Sequence, residues 1–291
     1  MGKEIGLGRA GDLLDRKDIS KQLSAIERGA ANYSSEVRGL VLAITGAPGA
    51  GKSCLIDKLL FEWSSNGEKV AVLAVDPTSP KSGGALLGDR VRMDSLHHPE
   101  HGENLLVRSV ATRGSSSSIP NRVGSMASFL YSKGFDKVII ETVGAGQNEI
   151  RCAAVADMIV LVEGPQSGDG VQAEKAGLLE LADLVVVNKS DLEGAHRVAE
   201  EIRMSMNLNP NPAPVLLASA LTGDGIDELV VQIDSLEISS HNLEARWRER
   251  LLGLLESKIL ENPSFDSIIE RLVQEEIRLE DALEELLYER K

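Results

Sequence analysis

Cysteine is nearly missing from this sequence: Cys54 and Cys152 are the only two among 291 residues. Two thiols cannot build a secreted disulfide framework or a four-cysteine zinc site, so a reducing, cytoplasmic setting is expected. Aromatic residues are also scarce, at 3%, which removes the stacking platforms on which single-stranded nucleic acid sits. Positive charge is in deficit, with 31 Lys plus Arg against 45 Asp plus Glu and a formal net charge of -14. Such a chain repels a polyanion unless its basic residues are locally gathered, so nucleic acid is set aside as a partner. No apolar run approaches the ~18 residues that a membrane span needs. The opening Met1-Gly2-Lys3-Glu4-Ile5-Gly6 lacks an apolar signal core, and Gly6 stands where a myristoylation motif wants Ser or Thr. The expectation is a protein neither exported nor anchored to a membrane.

What is present is ordinary globular material, 42% hydrophobic and 26% charged, enough for one α/β domain with helical appendages. Ile19, Leu23 and Ile26 fall at helical spacing, with Asp18 as a candidate N-cap. Leu40 to Ile44 reads as a buried strand that ends in a glycine-rich turn and a helix through Leu59, Leu60 and Trp63. Further short β-branched runs follow at Val70 to Val75, Leu105 to Val110, Lys137 to Ile140, Met158 to Val162, Leu184 to Val187 and Val215 to Leu217. Helical patterns lie between most of them, and hairpin turn chemistry is rare. This predicts a doubly wound, mostly parallel α/β sheet covered on both faces. After Gly223 the chain reads as helices only: Ile226 to Leu236, then about 241 to 261 and about 264 to 289, the last two separated by Pro263. The last carries a wide apolar stripe, including Ile268, Ile269, Val273, Leu279 and Leu283, which must pack on its own sheet or on a second chain.

Gly46-Ala47-Pro48-Gly49-Ala50-Gly51-Lys52-Ser53 fits G-x-x-x-x-G-K-[ST] in full, between a buried strand and a helix. Glycine permits the positive φ angles that turn successive backbone N–H groups toward an anion, and the helix N-terminus adds its positive dipole end. Lys52 is expected to reach the β- and γ-phosphates, and Ser53 to place a hydroxyl oxygen on Mg²⁺, a hard cation that takes oxygen ligands. Cys54 follows inside the helix and reads as a small buried filler whose backbone belongs to the loop. Two acids end strands, Asp76 and Glu141, and compete as metal or water-positioning groups, because ligands of an open parallel sheet sit outside the carboxyl ends of its strands.

Asn188-Lys189-Ser190-Asp191 follows a strand and fits the N-K-x-D guanine motif. Asp191 can accept from both guanine N1–H and the exocyclic amine, whereas adenine offers no donor there and leaves a carboxylate unpaired. The stem of Lys189 covers the base face in this reading, and Ser219-Ala220 supplies a backbone N–H to guanine O6. The nucleotide is therefore GTP or GDP. Glu141-Thr142-Val143-Gly144 stands in the place of a D-x-x-G γ-phosphate sensor, with the Gly144 N–H on the γ-phosphate. Ala145 follows where Ras-like enzymes carry the water-orienting Gln, and the nearest Gln is Gln147, so intrinsic hydrolysis should be slow.

Taken together these residues resemble the ArgK/MeaB family, the G-protein chaperones of adenosylcobalamin-dependent acyl-CoA mutases. The most specific stretches are Val75-Asp76-Pro77-Thr78-Ser79-Pro80, Gly83 through Met93, and Glu141 through Glu149. The resemblance covers roughly residues 18 to 235 and implies a P-loop G-domain of the signal-recognition and MinD-like class over residues 37–238. It sets this between a helical segment, 1–36, and a helical dimerisation arm, 239–291. It also implies that Asp76, Asp89 and Glu141 gather around Mg²⁺ and its waters, with switch loops around Asp89, at Gly144 to Glu149 and at Gly168 to Lys175. Its function would be a GTPase that gates cofactor loading of a B12-dependent mutase and helps eject damaged cobalamin, working as a homodimer. One stretch departs from the family: Arg113-Gly114 is followed by Ser115-Ser116-Ser117-Ser118-Ile119-Pro120 where a Gly-rich run is usual. That region is closer to the G-domain of fused isobutyryl-CoA mutases, which points to a client of the isobutyryl or 2-hydroxyisobutyryl type instead of the methylmalonyl type.

Two other readings compete. His97, His98 and His101 could ligate a transition metal, as a nickel-insertion GTPase would, but no cysteine accompanies them. A P-loop kinase would need an acceptor pocket and a base that the sequence does not offer. Arg90, Arg92, Arg108 and Arg113 lie near the expected switches, where a surface salt bridge competes with a transition-state role for each.

Overall fold

The computed structural model describes residues 16–31, 33, 39–76, 93–111, 119–142, 151, 154–165, 178–206, 212–236, 240–260 and 262–287. For Asp76, Ala111 and residues 119–121, 240–242 and 257 it describes the backbone only. Seven strands form one sheet: β1 (Leu40–Gly46), β2 (Val70–Asp76), β3 (Leu105–Ala111), β4 (Lys137–Thr142), β5 (Met158–Glu163), β6 (Leu184–Val187) and β7 (Val215–Leu217). Their spatial order is β3-β2-β4-β1-β5-β6-β7, and every pair is parallel. Both faces are covered, which is why the strands read as unbroken apolar runs. Alternate residues still divide between the two layers: Val41 and Ala43 join one core, Leu42 and Ile44 the other.

Among the described residues, the helices with defined bounds are α1 (Arg16–Glu27), α2 (Lys52–Ser65), α3 (Ile119–Ser132), α4 (Ala195–Met206), α5 (Ile226–Ser235), α6 (Ser240–Leu260), α7 (Phe265–Val273) and α8 (Leu279–Leu287). Asp18 lies in the first turn of α1, two residues past its start, so it is not the cap expected there. The chain leaves β1 toward β2 on one side and leaves β5 toward β6 on the other. The crevice between the carboxyl ends of β1 and β5 is thus the point where the winding reverses, the place where such sheets bind ligands.

Helix α1 protects the open edge at β3. Arg108 of that strand donates to Glu27 Oε2 at 2.6 Å and to Ser24 Oγ at 3.0 Å, and Arg16 donates to the Gly102 carbonyl at 2.7 Å. Such cover blunts the pairing potential of an edge strand. At the amino ends of the central strands, the hydroxyl of Tyr131 donates to the Leu40 carbonyl and accepts from the Val138 N–H at 3.1 Å. Burial pushes this phenol above its ordinary range.

The C-terminal helices hold to the same end of the sheet. Arg246 of α6 is fully buried, 0% exposed, and pairs with the buried Asp183 just before β6. It also donates to the Asp157 carbonyl, and Asp183 accepts a second bond from the Ile159 N–H at 2.7 Å. Arg250 donates to the carbonyls of Ala154, Val155 and Ala156 at 2.5, 2.8 and 2.9 Å.

The stretch expected as one helix from about 264 to 289 is two helices, α7 and α8. The break is a Schellman closure: Glu276 N–H donates to Arg271 O at 2.9 Å and Glu275 N–H to Leu272 O at 3.1 Å, with Glu275 at φ 58. Arg271 then clamps Glu285 of α8 with bonds of 2.7 and 3.3 Å. Part of the apolar stripe is left open to solvent. Val273 is 79% exposed and Leu279 70%, while Ile268 and Ala282 are buried.

Replacing Arg246 by Ala leaves Asp183 as a buried charge without its cation, and the unfolding free energy should fall by about 3–5 kcal/mol in urea denaturation. Tyr131 gives a pH dependence. Its folded-state pKa is raised above the unfolded value, so its contribution is intact below about pH 10 and is lost as pH rises further. Above that pH the stability of the wild type should fall by about 1.4 kcal/mol per pH unit more steeply than that of Tyr131→Phe.

Candidate functional site

The loop between β1 and α2 is built where β1 passes β5. Gly46 has φ 136, and a Cβ there would lie 2.0 Å from the Val162 carbonyl oxygen, so only glycine passes. Gly51, at φ 88, is held as tightly, because its Cβ would meet Asn188 Nδ2 at 2.5 Å. Gly49, at φ 78, has no neighbour within 4 Å of where a Cβ would be, so the loop is open on that side. Lys52 is 7% exposed, and its Nζ donates to the Gly46 carbonyl at 2.8 Å and the Ala47 carbonyl at 3.0 Å. The ammonium is thus folded over the loop, at the amino end of α2, where the first-turn N–H groups have no carbonyl of the helix to bond. These parts make an anion cradle.

Ser53 and Glu141 meet beside it. Ser53 Oγ donates to Glu141 Oε1 at 2.6 Å, and Glu141 is 1% exposed. Parallel pairing of β1 with β4 puts Glu141 opposite Ile44, and one residue on the buried hydroxyls of Thr45 and Thr142 bond at 2.8 Å. A hydroxyl and a carboxylate at one point form an all-oxygen donor set of the kind that suits a hard divalent cation. The Thr45–Thr142 bond escaped the sequence reading, although two Thr at matching ends of otherwise apolar strands were a visible signal.

The second loop pair carries the N-K-x-D residues. Asn188, 1% exposed, donates through Nδ2 to the Ala50 carbonyl at 2.8 Å and the Gly51 carbonyl at 3.3 Å. Its Oδ1 accepts the Ala220 N–H at 3.1 Å. One amide therefore joins the phosphate-type loop to the Ser219-Ala220 loop. Lys189 adopts φ 60, a left-handed conformation that costs a non-glycine residue about 1 kcal/mol or more. The turn sends its Nζ to the Gly49 carbonyl at 2.7 Å, so its stem crosses the crevice. Asp191 Oδ1 accepts from Ser219 Oγ at 2.5 Å, and Ser219 Oγ accepts from the Thr222 N–H at 3.2 Å.

Gly46 through Ser53, Glu141, Asn188, Lys189, Asp191, Ser219 and Ala220 thus converge on one crevice. Asp89, Gly144, Gln147 and the stretch from Gly168 to Lys175 lie outside the described residues, as do Arg90, Arg92, Arg113 and Cys152, and Asp76 is described in its backbone alone. Cys54 is exposed, not the buried filler expected, because Leu55 and Ile56 take the inward positions of that turn. Arg108 is ion-paired with Glu27 on the far edge strand, with its side chain 19% exposed. The rings of His98 and His101 are stacked at 4.6 Å and nearly parallel, with Phe61 edge-on to both. Among the described residues no three His, Cys, Asp or Glu side chains gather as a metal cluster, and no helix is long and apolar enough to cross a membrane.

The family model of the methylmalonyl-CoA mutase-associated GTPase MeaB matches residues 8–265. The chain is 35% identical over 305 residues to a Pyrococcus abyssi protein inferred to be a GTPase, covering 94% of this chain and 93% of that one. It is 34% identical over 207 residues to the fused isobutyryl-CoA mutase of Cupriavidus metallidurans, covering 67% of this chain but 19% of that protein. Among solved structures, that of an LAO/AO transport system kinase aligns with TM-score 0.57 and 24% identity, over 92% of this chain and 84% of that one. This last likeness is one of fold.

Asn188→Ala removes the donor to Ala50 and Gly51 together with the acceptor of the Ala220 N–H. A loss of about 2–3 kcal/mol in denaturant is expected for these buried bonds. Titration of the variant with GDP and with GTP should show both weakened by the same factor, because the tether fixes two loops and touches no γ-phosphate.

Proposed function

The chain belongs to the MeaB family of methylmalonyl-CoA mutase-associated GTPases, and we propose that it binds Mg-GTP in the described crevice, hydrolyses it slowly and spends it on a B12-dependent acyl-CoA mutase. The observation that carries this reading is the Asn188 amide, which fixes the Gly46–Ser53 loop and the Ser219-Ala220 loop at one separation. A nucleotide with phosphates on the first loop and its base on the second fits that arrangement.

In this reading the backbone from Gly46 to Cys54, with Ala47, Pro48, Gly49, Ala50 and Gly51, holds the phosphates, and Lys52 balances charge that grows on the β–γ bridge as it breaks. Lys52 is already bent over the loop by its bonds to the Gly46 and Ala47 carbonyls, so little reorganisation is needed. Ser53 and Glu141, with Asp76 and Asp89, hold Mg²⁺ and its waters; the 2.6 Å contact of Ser53 with the buried Glu141 supports the first two. When bound, the ion neutralises phosphate charge. The Gly144 N–H senses the γ-phosphate. Asp191 accepts from the guanine edge, Lys189 covers the base, and Ser219 and Ala220 close it from the other loop. With Ala145 in the position of the water-orienting Gln, the attacking water is poorly held and turnover is low until a partner completes the site.

The partner is an adenosylcobalamin-dependent mutase, whose cofactor loading is gated by the nucleotide state and which is protected or reactivated by the G-protein. The similarity to part of a fused isobutyryl-CoA mutase supports a client of the isobutyryl or 2-hydroxyisobutyryl type. The protein acts in the cytoplasm as a homodimer. The exposed apolar residues of the C-terminal helices, among them Trp247, Leu251, Val273 and Leu279, support its pairing through that arm.

The test is GTP turnover by the purified protein alone and then with methylmalonyl-type and isobutyryl-type mutases separately, each with and without adenosylcobalamin, with ATP as control. The isobutyryl-type mutase should raise turnover well above the basal rate and the methylmalonyl type should not, while ATP is not hydrolysed. Lys52→Ala should abolish both rates. If neither mutase binds or alters turnover in any nucleotide state, the client is wrong and the protein is a GTP switch for another partner.

A further inference from the structure

The parallel pairing of β1 with β4 ends at Ile44 and Glu141. Beyond that rung the two strands part: Thr45 and Gly46 run on beside Leu161 and Val162 of β5, and Thr142 runs on beside Val75 of β2. The parting divides the candidate site. The phosphate-type and base-type loops leave β1, β6 and β7 on one side of it, and Glu141 stands near the end of β4 on the other. Two side-chain bonds cross it. On the face toward α2, Ser53 Oγ donates to Glu141 Oε1 at 2.6 Å. On the opposite face, Thr142 Oγ1 donates to Thr45 Oγ1 at 2.8 Å, with both residues 0% exposed. Successive residues of a strand point to opposite faces, so these two bonds lie back to back across the sheet. Ile44 accordingly belongs to the core under α2, whereas Ala43 and Ile140 belong to the other.

A buried hydroxyl pair holds two strands at a separation that apolar residues cannot reproduce. The two oxygens stand at 2.8 Å, whereas carbon atoms in contact stand at about 3.5–4.0 Å. At the first rung past the backbone ladder, apolar side chains would therefore hold the strand ends about 1 Å further apart. Thr142 adjoins Glu141 in the chain and Thr45 adjoins Gly46. The separation is thus passed to the carboxylate on one side and to the start of the phosphate-type loop on the other. We infer that Thr45 and Thr142 are a positioning pair for GTP hydrolysis, whose bond sets the distance between the phosphate-type loop and the Glu141 carboxylate. Neither residue touches nucleotide or metal in this role. The inference rests on the reading of Ser53 and Glu141 as holders of Mg²⁺, and it adds the pair that keeps them in register. Nucleotide binding itself does not depend on the pair, because the Asn188 amide joins the two binding loops within one side of the parting.

Val has nearly the shape of Thr without its hydroxyl, whereas Ser keeps the hydroxyl. A misplacement of about 1 Å at a reacting centre costs up to about 100-fold in rate. The experiment measures kcat for GTP, its dependence on Mg²⁺ concentration, GDP affinity without Mg²⁺, and unfolding in urea. It compares full-length wild type with Thr45→Val, Thr142→Val, the double Val variant, Thr142→Ser and Glu141→Ala. Each single Val change is expected to lower kcat by about 10- to 100-fold and to raise the Mg²⁺ concentration required, with GDP affinity within about two-fold of wild type. The double variant should be no slower than the slower single one, since either change breaks the same bond. Thr142→Ser should keep most of the rate. If the Val variants fail to fold, Thr142→Ala set against Thr142→Ser carries the same comparison. Wild-type kcat and Mg²⁺ dependence in both single Val variants, beside a loss in Glu141→Ala, overturns the inference alone, whatever their stability in urea. A double variant slowed by the product of the two single effects overturns it too, since the hydroxyls then act independently. Equal losses of kcat and GDP affinity do the same, because they mark a merely structural role. Wild-type kcat and Mg²⁺ dependence in Glu141→Ala overturns the metal-site reading on which the inference rests.

Discussion

A side chain at position 46 would place its Cβ 2.0 Å from the Val162 carbonyl oxygen, so the end of β1 passes β5 only as bare backbone. That contact sets the geometry of everything above the sheet. It forces φ 136 at Gly46 and starts the turn that brings the Lys52 ammonium back to the Gly46 carbonyl. Five residues on, the same crowding recurs, with Gly51 pressed against the amide of Asn188. Both glycines lie where the chain leaving β1 meets the ends of β5 and β6. The phosphate-type loop and the base-type loop are therefore not two independent motifs resting on a scaffold. They are packed on one another, backbone against side-chain amide, and the Asn188 N–H is itself bonded to the Glu163 carbonyl at the end of β5 at 2.8 Å.

The strands were legible because a parallel strand covered on both faces is apolar along its whole length, and short Val, Ile and Leu runs bounded by loops and alternating with helical patterns suit little else. The two glycine-rich and N-K-x-D signatures were legible for a related reason: close backbone approach and a buried carboxylate or amide tolerate few residue types. What was not legible depends on contacts made at long range. Arg246 in a helix of mixed polarity reads as a solvated charge, and only the assembled sheet brings Asp183 and the Asp157 carbonyl to it. The break at Glu275 is masked because the left-handed capping position is held by Glu, where glycine would have given the signal. The exposure of Cys54 was readable after all. Leu55, Ile56, Leu59, Leu60 and Trp63 already define the inward stripe of α2, and position 54 lies with Lys58 and Phe61 on the opposite side.

Strand β5 links the two ends of the molecule. Its carboxyl end meets Gly46 and Asn188, while the segment leading into its amino end is gripped by the C-terminal helix α6 through Arg250 on three successive carbonyls and Arg246 on the Asp157 carbonyl. The strand between is buried at every residue and hydrogen-bonded on both sides, to β1 and to β6. Such an element transmits displacement without absorbing it, since packed interiors have low compressibility. For α6 to swing relative to the sheet, the buried Arg246–Asp183 pair would have to open, and an uncompensated buried charge costs about 3–5 kcal/mol. That exceeds the typical coupling of about 1–3 kcal/mol between two ligand sites. It follows that a partner pulling on α6 moves the base of β5 with it and leaves the pair closed, so α6 and the nucleotide crevice respond to a load as one body.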